Sequence, residues 1–179
     1  MESFSDMELV ERAQGSDSSA FENLITRHYM TVYRAAYRWC GVKEDAEDIT
    51  QEVFIKVARK FKTFAGKSSF KTWLYRITVN TAKDFGRKRS TRRAYVKAWS
   101  AETRETVTNP GKDVDLSTGE LYAAIARLPS RQKAAALLVW AEGLTHREAS
   151  RVLECSESTV SAHVFQAREK LKKLFIEKQ

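Results

Sequence analysis

Residues 142–171 read EGLTHREASRVLECSESTVSAHVFQAREKL. Thr145 followed three residues later by Glu148 is a capping-box start for a helix running to about Leu153. Ser156 is a suitable N-cap for a second helix running to about residue 174. A turn of about three residues separates the two, which is helix-turn-helix spacing. In such a unit the N-terminal part of the second helix reads the major groove and basic residues hold phosphates. The candidate readers are Thr145, Arg147, Ser156, Glu157, Ser158, Thr159, Ser161, Ala162, His163 and Gln166, with Arg168, Lys170, Lys172 and Lys173 for the backbone. A helical hairpin with a solvated face is the plainer alternative. Capping, spacing and the trailing basic residues together favour DNA.

Upstream, Pro129 divides two further helices, 118–128 and 130–142, and Gly143 ends the second. Before them the composition shifts. Residues from about Ser100 to Ser117 carry Thr, Asn, Pro, Gly and Asp, with Asn109-Pro110-Gly111-Lys112 as a breaker cluster. This predicts a linker over 98–117 between an N-terminal unit, 1–97, and a C-terminal unit, 118–179.

The N-terminal unit also reads as helices. Ser5-Asp6-Met7-Glu8 is a capping box with Gly15 as the stop. A second helix follows Asp17 to about Trp39, with Phe21, Leu24, Ile25, Tyr29, Val32, Tyr33, Ala36 and Tyr37 at three- and four-residue steps and Gly41 at its end. A third runs from about Glu44 to Phe61, and opens on Asp45-Ala46-Glu47-Asp48. A loop over 63–68 leads to a fourth from about Ser69, whose apolar stripe is Phe70, Trp73, Leu74 and Ile77. Its tail carries Lys83, Arg87, Lys88, Arg89, Arg92, Arg93 and Lys97 against Asp84 alone. Phosphate contacts by such a strip release counterions. Aromatic residues just upstream (Phe64, Phe70, Trp73, Tyr75) suit stacking or pocketing of bases from single-stranded DNA. Core packing is the favoured reading of Phe70 and Trp73.

No alternating run predicts a strand, so the expected class is all-α: two small helical domains joined by a flexible linker. The chain has 179 residues, net charge +8 and mean hydropathy −0.49. The charge points to a polyanionic partner. No apolar run approaches the roughly 20 residues of a membrane helix. The N-terminus lacks a basic n-region and an apolar h-region, so the cytoplasm is the expected compartment. Cys40 and Cys155 lie far apart and read as packing residues. His28, His146 and His163 read as isolated surface side chains. No glycine-rich phosphate loop, metal-ligand spacing or catalytic triad is evident, so neither an enzyme nor a metal or cofactor site is expected.

Three segments, in order, resemble the extracytoplasmic-function (ECF) group of the sigma-70 family. Asp45-Ala46-Glu47-Asp48-Ile49-Thr50-Gln51-Glu52-Val53-Phe54 is similar to the family's polymerase-binding motif. Phe70-Lys71-Thr72-Trp73-Leu74 through Ile77, Asn80, Asp84 and Arg87 is similar to its −10 helix. Leu128-Pro129-Ser130-Arg131-Gln132, Glu142-Gly143-Leu144-Thr145, Ser158-Thr159-Val160 and Ala167-Arg168 are similar to its C-terminal DNA-binding region.

The resemblance implies a bacterial alternative sigma factor that binds RNA polymerase core. Asp45, Glu47, Asp48, Gln51, Glu52 and Phe54 would dock on the clamp helices of the largest core subunit. Phe64, Lys67, Ser69, Phe70, Trp73, Asn80, Asp84, Arg87, Lys88, Arg89, Arg92 and Arg93 would recognise and help melt the −10 element, with the loop 63–69 pocketing a flipped base. The helix-turn-helix would read the −35 element as duplex. An anti-sigma factor is the implied inhibitor. The chain departs from the family pattern at Ala149, Glu154, Ser161 and His163. The departures imply either an unusual −35 preference or weak binding by this half alone. A stand-alone helix-turn-helix regulator would leave the first two segments unexplained. A sigma mimic that only titrates an anti-sigma protein would have no use for the basic strip.

Overall fold

The computed structural model describes residues 4–99 and 116–176. Among the described residues the regular elements are all helical. The N-terminal group is α1 (Asp6–Gln14), α2 (Ser18–Cys40), α3 (Lys43–Lys60), a 3-10 turn (Phe61–Thr63) and α4 (Phe70–Trp99). The C-terminal group is α5 (Leu116–Ala126), α6 (Ser130–Ala136) continued by a π turn (Leu137–Ala141), α7 (His146–Leu153) and α8 (Glu157–Ile176). Residues 100–115, most of the expected linker 98–117, lie outside the described residues.

The local chemistry fixes the helix ends. Ser5 and Glu8 form a complete capping box at α1, and Thr145 and Glu148 form another at α7. The Asp17 side chain accepts from the Ala20 N–H at 3.1 Å and caps α2. Gly41 ends α2 in the left-handed region at φ 70°, where only glycine pays no Cβ penalty. Ser69 and Ser156 accept from the N–H groups of Thr72 and Thr159, each at 3.1 Å, and cap α4 and α8.

Apolar spacing then decides what each helix buries. Along α2 the buried positions are Ala20, Leu24, His28, Val32 and Ala36, a strict four-residue stripe. With Leu9, Val10, Ile49, Val53, Val57, Phe61, Phe64, Phe70, Trp73 and Leu74 they form one N-terminal core. Its aromatic centre is edge-on: Phe61 and Phe64 meet Phe70 at centroid distances of 6.2 and 5.9 Å, and Phe64 meets Trp73 at 5.1 Å.

His28 corrects the sequence reading. It is buried, and its Nε2 lies 2.8 Å from the Asp6 carboxylate, which also pairs with Arg27 at 2.7 Å. Burial works against ionisation of Asp6, but the bonds to Arg27 and His28 outweigh it and hold its pKa below the ordinary value. This cluster pins α1 to α2. Tyr29, read as part of the apolar stripe, instead faces outward at 45% exposure.

The C-terminal half has one cluster of Ala134, Ala135, Leu138, Leu144, Ala149, Val152, Val160 and Val164 and a second of Ile125, Leu128, Ala136, Leu137, Ala167 and Leu171. Tyr75 and Val79 of α4 belong to the first cluster, with Ala35 and Trp39 of α2 packed against it. The two halves are therefore closed on one another across a shared apolar seam.

Candidate nucleic-acid interface

On α3, Glu47, Asp48, Gln51 and Glu52 are exposed and Phe54 is half-buried. Phe54 stacks on Tyr29 at 5.8 Å with an interplanar angle of 8°. Met30 and Ile55, their neighbours in sequence, are also exposed. The exposed acidic residues are thus accompanied by exposed apolar side chains, Tyr29, Met30 and Ile55; the sequence reading placed Tyr29 in the core stripe and did not single out Met30 or Ile55. Asp45 is turned away from this strip and pairs with Arg89 of α4. The pair ties the start of α3 to the basic tail.

At the other candidate segment, Phe64, Phe70 and Trp73 are buried in the N-terminal core, Phe70 at 1% exposure. Phe64 and Phe70 bracket the loop 65–69, and all three belong to the core. The surface above carries Lys67 and Ser69, both exposed, with Gly66 making the turn at φ 68°. Farther along α4, Asn80, Arg87 and Lys88 are exposed and Asp84 is half-buried; Asp84 pairs with Arg87. The α4 backbone continues past Arg92 and Arg93, whose side chains lie outside what is described.

In the C-terminal half α7, the turn Glu154-Cys155-Ser156 and α8 form the helix-turn-helix that the spacing predicts. Glu154 sits in the left-handed region at φ 54°, ψ 46°, a conformation that costs a non-glycine residue ~1–2 kcal/mol. The exposed face of α8 carries Glu157, Ser158, Ser161, Ala162, Phe165, Gln166, Arg168, Lys170, Lys172 and Lys173. Phe165 is 64% exposed in the middle of this face. The sequence reading did not single it out. Several candidate readers are engaged within the protein. Thr145 and Ser156 act as caps, and Arg147 pairs with Glu157 at 3.8 Å. His146 Nδ1 lies 2.7 Å from the Ser161 hydroxyl. His163 is half-buried. None of the three histidines is therefore an isolated surface side chain.

Four polar contacts brace the seam between the halves. Arg38 of α2 donates to Glu142 Oε1 at 2.6 Å, and the Tyr75 hydroxyl donates to Glu142 Oε2 at 2.7 Å. Lys133 donates to the Trp39 carbonyl at 2.6 Å and lies over the Trp39 ring. Arg76 donates to Glu154 at 3.0 Å. The Glu142 side chain is 8% exposed. The π turn positions it: the Glu142 N–H bonds back to the Leu137 carbonyl, five residues earlier. Burial pushes the Tyr75 phenol pKa up and the Glu142 carboxylate adds to it, so the hydroxyl remains a donor. Burial works against the Arg38 charge, but Glu142 outweighs it and raises the pKa.

Among the described residues no group of His, Cys, Asp and Glu side chains is arranged to hold a metal ion, and no helix is long and apolar enough to cross a membrane.

Residues 24–92 match the family model for sigma-70 region 2, and residues 118–171 match that for sigma-70 region 4. The chain is 35% identical to the ECF RNA polymerase sigma-E factor of Haemophilus influenzae, covering 94% of each chain. It is 36% identical to that of Escherichia coli K12, covering 94% of this chain and 93% of the relative. It is 33% identical to the RNA polymerase sigma-H factor of Pseudomonas aeruginosa, over 94% and 92%. In fold it is similar to CnrH solved in complex with the cytosolic domain of CnrY, at TM-score 0.73 and 22% identity over 97% of this chain and 99% of that one. It is also similar in fold to RpoE of Bartonella quintana solved with the anti-sigma factor NepR, at TM-score 0.69 and 21% identity over 89% and 98%. With region 2 in its first half, region 4 in its second and these relatives along nearly its full length, the chain belongs to the ECF group of the sigma-70 family of RNA polymerase sigma factors.

Proposed function

We propose that this protein joins RNA polymerase core and directs it to promoters by reading a melted −10 element and a duplex −35 element. It does so as a specificity factor without catalysis of its own, in the bacterial cytoplasm, and is held in check by an anti-sigma factor. The observation that carries this reading is the distribution of surfaces on one chain. An exposed acidic strip lies on α3 beside the Phe54–Tyr29 stack, exposed Arg87 and Lys88 lie on α4, and a capped helix-turn-helix lies at α7–α8.

Each surface suits one partner. Glu47, Asp48, Gln51 and Glu52, with Phe54 on Tyr29, offer charge and an aromatic anchor to a core subunit; desolvated aromatic anchors dominate protein interfaces. Asp45 acts through Arg89. Lys67, Ser69, Asn80, Asp84, Arg87 and Lys88 are the surface for the melted strand, with Arg92 and Arg93 farther along the helix; Phe64, Phe70 and Trp73 support it from the core. On α8 the Ser158–Gln166 face reads bases, and Arg168 and Lys172 hold phosphates. The functional parts are 1–97, the linker 98–117, and 118–179.

The closed arrangement requires a conformational step. Elements named for positions about 25 base pairs apart lie roughly 85 Å apart on B-DNA. A single compact body of this length has a radius of gyration of roughly 16 Å, so both readers reach their elements only once the seam opens. The exposed face of α8 is free in the closed form, so separation of the halves, and not uncovering of that face, is the step that core must drive. An anti-sigma partner that binds the closed form would oppose it.

Run-off transcription with purified core polymerase, on a promoter library randomised across both elements, tests the reading. Initiation at a distinct promoter class only when this protein is added is the expected result. Specific duplex binding without polymerase, and no initiation with it, would contradict the proposal in favour of a stand-alone regulator.

A further inference from the structure

Gln132 is the third residue of α6 and is buried at 9% exposure. Its Nε2 donates to Gln166 Oε1 of α8 at 2.8 Å, while its own Oε1 is buried with no partner among the described residues. A buried amide satisfied on one side only is a poor choice for stability, because the orphaned acceptor carries a desolvation cost. What the arrangement does provide is a fixed neighbour for Gln166. Gln166 is exposed on the reading face of α8, one turn beyond Ala162 and next to Phe165. From Ser158 to Gln166 that helix has no arginine or lysine, and Gln166 holds its one carboxamide.

We propose that Gln132 is a positioning residue for sequence readout: it holds the Gln166 carboxamide so that Gln166 reads an adenine of the −35 element. The inference rests on the promoter-reading role proposed above. A glutamine reads adenine by donating to N7 and accepting from N6. As paired here, both Nε2 hydrogens of Gln166 remain for N7, and its Oε1 keeps a second lone pair for the N6 amine. A free glutamine on a helix surface samples many rotamers, and ordering it on binding opposes affinity. The bond from Gln132 removes much of that disorder before DNA arrives, which is preorganisation.

The test is selection of −35 sequences by the full chain in holoenzyme with core polymerase, comparing the native protein with Gln132→Leu, Gln166→Ala and the double variant. Gln166→Ala is expected to abolish the preference for adenine at one base pair, a loss of about tenfold in discrimination. Gln132→Leu is expected to weaken that same preference several-fold and leave the other base pairs alone. The double variant is expected to match Gln166→Ala, because the two act as one unit. Thermal melting of Gln132→Leu is expected to be unchanged or raised, since leucine removes the half-satisfied amide.

Unchanged base preference in Gln132→Leu, beside a loss in Gln166→Ala, would overturn the positioning role. An equal loss at every −35 base pair, with a lowered melting temperature, would overturn it in favour of simple structural support. No change in Gln166→Ala would overturn base reading by this residue. A native holoenzyme that shows no −35 preference at all would instead overturn the promoter-reading role.

Discussion

The two halves of this molecule are built to different standards of independence. The N-terminal half closes around Phe61, Phe64, Phe70 and Trp73, large rings that meet edge to face or at a tilt and fill their own core. The C-terminal half packs in two clusters, one of alanine, valine and leucine that includes Tyr75 and Val79 from the other half, and one around Ile125, Leu128, Leu137 and Leu171. Fully burying a phenylalanine, leucine or valine side chain contributes about 1.5–3 kcal/mol, an alanine methyl less. The first half is therefore a self-sufficient platform. The second shares part of its apolar core with that platform. The opening proposed above would act on this shared seam.

The predictions follow that asymmetry from the largest effect down. Phe70→Ala should cost about 3–5 kcal/mol. In chemical denaturation both halves should lose stability together, because the C-terminal half loses the α4 face it borrows; a C-terminal transition that stays put would break the comparison. Arg38→Ala leaves the Glu142 carboxylate in the seam with Tyr75 alone. The pair is partly buried, so its loss costs about 1–2 kcal/mol, less than for a fully buried pair, and the released halves should show as an increased radius of gyration in solution scattering; an unchanged radius would mean that the apolar seam alone holds the closure. Glu154→Gly relieves the left-handed strain, worth about 1 kcal/mol, and gives up the exposed pair with Arg76, worth less. Thermal melting should rise slightly, with the gain confined to the C-terminal half.

The smallest effect concerns pH. The folded-state pKa of Asp6 is lowered by Arg27 and His28 against its burial. A depressed carboxylate stabilises the fold above its unfolded value, about 3.9, and that contribution is lost as pH falls through the folded value. The α1–α2 contact should therefore stay intact at pH 5 and loosen only below about pH 4. Hydrogen exchange of α1 amides across this range checks it, and loosening already at pH 5 would contradict it.

Much of this architecture was legible in the sequence because it is local. Ser5 with Glu8, Thr145 with Glu148, and Gly41 each announce a helix end within four residues. The helix-turn-helix follows from one such cap and the spacing to Ser156. His28 was misread because a polar residue was weighed by its type, whereas Ala20, Leu24, Val32 and Ala36 already marked its position as inward. Phe165 was not singled out at all, since nothing in a helical period distinguishes an exposed aromatic residue from a buried one. The closure itself was beyond reach. Arg38 and Glu142 are 104 positions apart, and the π turn that aims Glu142 at region 2 leaves no mark in an apolar run such as Leu137–Ala141. The Gln132–Gln166 pair is equally non-local.

The central claim, that the closed form opens when core is bound, is tested most directly by a distance. Spin labels at Arg34→Cys on α2 and Arg127→Cys after α5, both exposed positions, in a chain with Cys40 and Cys155 replaced by serine, report the separation of the halves by pulsed electron resonance. A single short distance in the free protein that lengthens by tens of ångströms on adding core polymerase is the predicted result. The same short distance with and without core would contradict the account.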